Sequence, residues 1–426
     1  GEEDSSNRDA LVALGTNGTL LVKLKKTDIK RIVIKRVQPF KTFEISLVKS
    51  IIEELNIIQS LDISQEYRDS FQVYATEKAI CKAVALNNST TLQRLIYAVS
   101  VWGNRTYEGN KTSFGFIILP QKATKTINPN LHFSRILEED FSALLSDGEN
   151  TCLEISSDGY LIQHTTIRNS KEDSCFAPYD YINFASMCNG AKVGIALLSN
   201  GDLLLFKNKM LLFAKRAGCW VSFSHEEIID RLGESKVNEF TDEVRKAIYL
   251  SALDTSFART GGCIVHLNKE DSISALKHID ERDILIEEYY NQKVQDKTST
   301  SFFFELNKDE KKPINTYEQF LKEDDSVKIA TIRGIVKGCK FNELSRKLRK
   351  ELISIDGATI LDYDGSIVAV GAIIQIEAGS SGGGRLAAAK TLAKYGVSVK
   401  ISADGKVQGF KMDRAKLRVK PIFAIG

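Results

Sequence analysis

Two short stretches near the C-terminus carry residue types that could act together: Asp356-Gly357-Ala358, and Ser381-Gly382-Gly383-Gly384-Arg385 running into Leu386-Ala387-Ala388-Ala389. Glycines ahead of a helix leave backbone N–H groups unobstructed, and the helix N-terminus adds partial positive charge, so a phosphate is well held there. Arg385 adds a forked, permanently charged donor. A carboxylate at 356, flanked by residues small enough to let a ligand approach the backbone, would supply a metal or hydroxyl ligand beside that cradle. Cradle and carboxylate together point to nucleotide chemistry. Each also has a plainer reading: the glycine loop as a flexible connection, and Asp-Gly as a turn held by local hydrogen bonds. The loop is neither a Gly-Lys-Ser/Thr phosphate loop nor a dinucleotide Gly-x-Gly-x-x-Gly.

The spacing of apolar residues predicts the elements that would position these groups. A helix with Leu344, Leu348, Leu352 and Ile355 on one face and Arg346, Lys347, Arg349 and Lys350 on a solvated basic face leads to Asp356. Strand Ala358 to Leu361 follows, Asp364-Gly365 turns the chain, and Ile367 to Ile376 return as a second strand. Helix Arg385 to Tyr395, stopped by Gly396, feeds strand Val397 to Ile401 and a last turn at Asp404-Gly405. Upstream, a helix from Val237 through Val244, Ala247, Ile248 and Leu253 ends at Gly261-Gly262, before strand Cys263-Ile264-Val265-His266. The charged segment 268–330, with Lys308-Asp309-Glu310-Lys311-Lys312-Pro313 and Glu323-Asp324-Asp325, reads as a surface insertion, and Phe302-Phe303-Phe304 as a buried strand. The basic string Lys411, Arg414, Lys416, Arg418 and Lys420 reads as a solvated tail.

Residues 1–146 read as an N-terminal α/β domain, a sensor candidate, with a strand at Ile32-Val33-Ile34. Helices run through Ile45, Val48, Ile51, Ile52 and Leu55 and through Leu92, Leu95, Ile96 and Val99. Trp102 and Tyr107 lead into a buried strand, Phe114 to Leu119. Residues 147–235 read as a β-meander with tight turns at Asp158-Gly159, Asn200-Gly201 and Asn208-Lys209. Residues 236–426 form a third, α/β domain. No internal repeat is legible.

A length of 426 residues fits two or three domains, and 43% apolar content supports a real core. Net charge of +3, from 58 basic and 55 acidic side chains, gives no global nucleic-acid signature. The seven cysteines form no Cys-x-x-Cys pair and are odd in number, which disfavours a disulfide framework or zinc site and favours a reducing, cytoplasmic setting. Cys219, beside Trp220, reads as core. The five histidines show no metal spacing, and His266, at the end of a predicted strand, is the one expected nearest the candidate site. No apolar run reaches the ~18 residues of a membrane span, and the charged start is unlike a signal peptide. If Gly1 is a cloning remnant, the natural N-terminus lies upstream.

In order and kind, the two motifs resemble the catalytic domain of diadenylate cyclases, which condense two ATP into cyclic di-AMP. Asp356-Gly357-Ala358 matches that family's Asp-Gly-Ala, and Gly383-Gly384-Arg385-Leu386-Ala387-Ala388-Ala389 aligns with its Gly-Thr-Arg-His-Arg-Ala-Ala. Ile401-Ser402-Ala403-Asp404 aligns with the strand end Val-Ser-Glu, and Arg259-Thr260-Gly261-Gly262 with the end of the family's first helix and its first strand. The resemblance covers residues 237–410 and implies a mixed β-sheet flanked by helices. It implies ATP as substrate, Mg²⁺ or Mn²⁺ on Asp356, and a phosphate cradle of Gly383, Gly384 and Arg385. Ile374 would lie near adenine, Gly357 and Ala358 beside the nucleotide, and Ser402 and Asp404 at the polar rim. Catalysis by Asp356 and Arg385 would need a facing second copy, under control of an unidentified ligand sensed upstream. The family's histidine and second arginine are here Leu386 and Ala387, its glutamate is Ala403, and a usual proline is Gln375. These departures leave open a nucleotide sensor that does not cyclise, or a related cyclase using another nucleotide.

Overall fold

A computed structural model describes the chain from Leu11 to Gly426 apart from residues 16–18, 24–31, 36–38, 86–87, 124–127, 169–174, 234–238, 303–315, 324–325 and 377–382. It is a mixed α/β protein of two compact units, Gly1–Glu227 and Ile228–Gly426. No described helix is long and apolar enough to cross a membrane.

The first unit opens with an antiparallel sheet of β1 (Leu11–Gly15), β2 (Thr19–Lys23) and β3 (Ile32–Lys35). Helices α1 (Thr42–Ser60), α2 (Gln65–Ala85) and α3 (Ser89–Trp102) follow. In α3 the stripe Leu92, Leu95, Ile96, Val99 and Trp102 is fully buried, as its helical spacing predicts. After a two-residue hairpin, β4 (Thr106–Tyr107) and β5 (Asn110–Lys111), come β6 (Phe114–Ile118), α4 (Phe133–Ile136), β7 (Thr151–Ile155), β8 (Leu161–Thr166) and α5 (Ile182–Met187). The meander β9 (Val193–Leu197), β10 (Leu203–Lys207), β11 (Met210–Arg216) and β12 (Cys219–Ser222) completes a seven-stranded sheet. Its order is β12-β11-β10-β9-β6-β7-β8. A domain boundary at 146/147 would cut this sheet, because β6 pairs with both β7 and β9. The expected N-terminal domain and meander are therefore one unit. Cys219 is exposed, at the sheet's edge strand rather than in the core.

Helix α6 (His225–Arg231) carries the chain into the second unit. There α7 (Glu239–Ala258) precedes β13 (Gly262–Leu267), with Val237 outside the described residues. The segment expected as a surface insertion holds α8 (Ser272–Ala275), α9 (Glu287–Phe302) and α10 (Tyr317–Phe320) and leads to α11 (Val327–Val336). It has its own buried apolar side chains, Leu276, Ile279, Tyr290, Tyr317 and Phe320, so it packs rather than loops. Phe302 ends a helix rather than forming a strand; Phe303, Phe304, Lys308 to Pro313, Asp324 and Asp325 lie outside the described residues. Then come α12 (Arg346–Ser354), β14 (Ala358–Leu361), β15 (Ile367–Ala372), α13 (Gly384–Leu392), β16 (Gly396–Ile401), β17 (Val407–Asp413) and β18 (Arg418–Ile425). The sheet order is β15-β14-β13-β16-β17-β18.

Two charge assignments change. The α12 face expected to be basic and solvated buries Arg346 and Arg349. Arg346 forms a bidentate pair with Asp254 of α7, Nε–Oδ2 2.7 Å and Nη2–Oδ1 2.8 Å, with neither side chain exposed. The basic string near the C-terminus belongs to the β17–β18 hairpin, where Arg414 pairs with Asp271 and Lys420 with Asp413.

Although no repeat is legible in the sequence, the two units share one topology. Strands β8-β7-β6-β9-β10-β11 occupy the places of β15-β14-β13-β16-β17-β18 in the same chain order. Each set has one parallel pair, β6/β7 and β13/β14, and is otherwise antiparallel. Ile118 stands opposite Ile155 and Val193 as His266 stands opposite Leu361 and Val397. The turns coincide to the hydrogen bond. Ser156 N–H donates to Tyr160 O (2.8 Å) and Gly159 N–H to Ser156 O (2.9 Å), matched by Asp362 to Ser366 (2.8 Å) and Gly365 to Asp362 (3.0 Å). Leu198 to Asp202 (2.8 Å) and Gly201 to Leu198 (2.9 Å) are matched by Ser402 to Lys406 (2.8 Å) and Gly405 to Ser402 (2.9 Å).

Candidate functional site

At one end of the second sheet, where parallel β13 and β14 begin and β16 ends, the chain gathers the residues singled out by sequence. Helix α12 is N-capped by Ser345, whose hydroxyl accepts the Leu348 N–H (3.3 Å). Beyond its C-terminus stands Asp356, with 90% of its side chain exposed. Arg385, in the first turn of α13, places Nη2 3.6 Å from Asp356 Oδ1. Gly261 lies under the same guanidinium: a Cβ there would sit 2.6 Å from Arg385 Nη1 and 3.3 Å from Ala403 N. Arg385 therefore rests between the Asp356 turn, the end of α7 and the β16–β17 turn. Thr260 and Ser354 join the two helix ends through their hydroxyls at 2.8 Å. The family resemblance places Thr260 and Gly261 at the first helix and strand and not in the site; the sequence signal for them is the pair Gly261-Gly262 just ahead of an apolar strand, and Gly261 takes φ +71° there.

Gly383 caps α13 at φ +84°, a conformation that selects glycine. Among the described residues, a Cβ on Gly383 or Gly384 would meet nothing within 4 Å. At Gly384, then, neither packing nor a positive φ calls for glycine. Ser381 and Gly382 lie outside the described residues.

The remaining expected site residues have other roles. Gly357, at φ +107°, is needed because a Cβ would lie 2.4 Å from the Gly371 carbonyl carbon; the space expected for a ligand holds the neighbouring strand. Ala358 is fully buried opposite Ala372, and Ile374 is also buried, so neither offers a surface for adenine. Asp404 Oδ1 accepts the Lys406 N–H (3.1 Å) within the turn that Ser402 begins. His266 lies at the far end of β13 with Nε2 3.1 Å from Tyr363 O, away from Asp356, and burial holds its pKa below the usual value. Burial pushes the Cys263 thiol up to about 12, which the nearby charge of Arg385 only partly offsets.

Among the described residues no group of three or more His, Cys, Asp or Glu could hold a metal ion. Asp356 is a single carboxylate with a guanidinium beside it. These donors do not fit a resident ion; a divalent ion could be held here only when a nucleotide's phosphates bring most of its ligands.

In the first unit the position of Asp356 is taken by Asn150, as the matching of Ile155 to Leu361 and of Ser156 to Asp362 fixes. Before β7, Asp147 Oδ1 accepts the backbone N–H groups of Glu149 (2.9 Å), Asn150 (2.7 Å) and Thr151 (2.9 Å), and Oδ2 accepts from Asn150 Nδ2 (2.7 Å). Ahead of α5 stands buried Tyr181, its hydroxyl 3.4 Å from Glu149, rather than a glycine pair and arginine. The position of Asp356 thus carries an amide, bound to Asp147, in place of an exposed carboxylate. Set against known proteins, the chain matches no family model, no curated protein and no solved structure.

Proposed function

We propose that the second unit binds a nucleoside triphosphate at the Asp356–Arg385 edge and is a nucleotidyltransferase of the diadenylate cyclase kind, with ATP as substrate. The observation carrying this reading is the approach of Arg385 to an exposed Asp356, beside a helix start whose Gly383 and Gly384 carry no side chains. An anion at that start would meet backbone N–H groups and the guanidinium together. Asp356, exposed beside it, is placed to orient a ribose hydroxyl. In the reaction, the 3′-hydroxyl oxygen of one ATP bonds to the α-phosphorus of the other and the bond to the bridging oxygen breaks. Pyrophosphate leaves with the electron pair, and the hydroxyl proton passes to Asp356 or to water. The same step in the opposite sense closes the ring, so two copies of the unit must face each other. Any Mg²⁺ or Mn²⁺ enters as the nucleotide's counter-ion, in keeping with the sparse protein donors.

A second reading, a nucleotide sensor that does not cyclise, is favoured by the position of Ala387. That residue is buried, so α13 presents only Arg385 as a cation in its first turn. One experiment separates the two. Purified protein incubated with ATP and Mn²⁺ or Mg²⁺, with products resolved by chromatography and mass detection, should yield cyclic di-AMP that is absent with Asp356→Asn. Intact ATP bound in an Arg385-dependent manner would establish the sensor instead. Neither product nor binding would overturn both.

A further inference from the structure

The first unit holds a trough of about 820 Å³ along the outer face of α3, bounded by α2 and α4. Its charge is one-sided. Glu77 is neutralised by Lys215 (2.8 Å) and Glu138 by Arg135 (3.1 Å). Arg94 and Arg105 both line the trough, and no carboxylate among the described residues pairs with either. Arg105 lies with its guanidinium carbon 5.0 Å from the ring centre of Trp102, which is 2% exposed and anchored by its indole N–H to Leu137 O (2.9 Å). The Nε2 of Gln93 is buried on the trough wall with no acceptor among the described residues. Tyr74 and Tyr97 line the same trough and keep 57% and 73% of their surface exposed.

Two guanidinium groups without carboxylates and exposed aromatic faces describe a site for a ligand that is both planar and anionic. Aromatic faces stack on a base and guanidinium groups take a phosphate. The volume suits a nucleotide. We infer that this trough binds a mononucleotide-sized aromatic phosphate, independently of the Asp356–Arg385 site. Thr90 and Ser134 add hydroxyls on the same lining, as ribose partners.

The experiment is calorimetric titration of the full chain with AMP, adenosine and inorganic phosphate, in an Arg385→Ala background that removes the cradle of the second unit. AMP should bind more tightly than adenosine or phosphate alone. Arg94→Glu, a change on an exposed helix face, should weaken AMP by about tenfold or more through loss of a charge-assisted bond. Tyr97→Ala should weaken AMP and adenosine alike. The inference is overturned if AMP shows no binding at millimolar concentration, if adenosine or phosphate binds as well as AMP, or if Arg94→Glu leaves AMP affinity unchanged while the thermal midpoint shows a folded protein. Loss of binding in Arg385→Ala alone, with Arg94→Glu silent, would assign the nucleotide to the second unit and also refute it.

Discussion

Replacing Asp254 by alanine should cost the second unit most of its stability. Arg346 makes its two short bonds to Asp254 with both side chains fully buried, so the substitution leaves a guanidinium without its carboxylate in a low-dielectric interior. Breaking such a pair from one side costs about 3–5 kcal/mol, against a total of about 5–15 kcal/mol for a typical domain. With a urea slope of about 2 kcal/mol/M, a loss of about 4 kcal/mol lowers the midpoint by about 2 M. Both tryptophans, Trp102 and Trp220, lie in the first unit, so their fluorescence reports that unit while far-UV circular dichroism reports both. The dichroism transition should move while the fluorescence transition moves less. Asp254→Leu combined with Arg346→Met, which removes both charges, should recover most of the loss. A midpoint change below about 0.5 M in Asp254→Ala would refute the assignment of this pair as the anchor between α7 and α12. Because α12 leads directly to Asp356, the same variant should also lower any nucleotide-dependent activity.

Gly384→Ala should leave the thermal midpoint unchanged or raise stability by up to about 1 kcal/mol, since a Cβ there meets nothing and alanine favours helix. It should nonetheless weaken ATP binding, measured by calorimetry, and unchanged affinity would show that the open helix start holds no phosphate. Asp147→Ala should destabilise the first unit by about 1–2 kcal/mol in tryptophan-monitored urea melts, through three backbone N–H groups losing their acceptor. Burial raises the Asp147 pKa, but bonds from Asn150, Thr151 and Glu149 outweigh it and hold the carboxyl below its usual value. That contribution is present above the ordinary carboxylate range and is lost as pH falls through the lowered folded-state value, so parent and variant should converge in acid. A gap that persists at low pH would refute this account.

Local structure was legible wherever one stretch of chain carries its own signal. The α3 stripe and the Asp-Gly and Asn-Gly turns all lie where periodicity and turn chemistry place them. What failed depended on partners distant in sequence. Strand β6 reads like the end of a domain until β7 and β9 claim both its edges. Arg346 reads as solvated because its carboxylate partner is on another helix. The ligand roles of Ala358 and Ile374 come from the family resemblance, and a resemblance carried by short motifs does not register that both side chains are buried. The duplication was hidden for a related reason: between Val193–Phe206 and Val397–Phe410 the two hairpins agree at Val, Gly and Phe positions such as Val193/Val397, Gly201/Gly405 and Phe206/Phe410 but differ at most others. A sheet asks only for apolar alternation and a residue that tolerates the turn.

The duplication also sorts structural from functional residues within one molecule. Positions occupied alike in both units are those the fold itself requires. Gly159 and Gly365 turn one hairpin, and Gly201 and Gly405 turn the other, each at positive φ. Asp404 belongs with them: Asn200 holds the same place and accepts the Asp202 N–H (2.9 Å) as Asp404 accepts that of Lys406 (3.1 Å). A carboxylate at 404 is thus explained by turn chemistry and needs no ligand. Asp356, Gly384 and Arg385 have no such counterpart. Where the second unit leaves the carboxylate of Asp356 exposed, the first unit has Asn150, its amide bound to Asp147, and where Arg385 opens α13 it has the buried Tyr181 ahead of α5. The same fold closes without those three residues, so their presence in the second unit is not a demand of folding, and they are the positions at which substitution should separate function from stability.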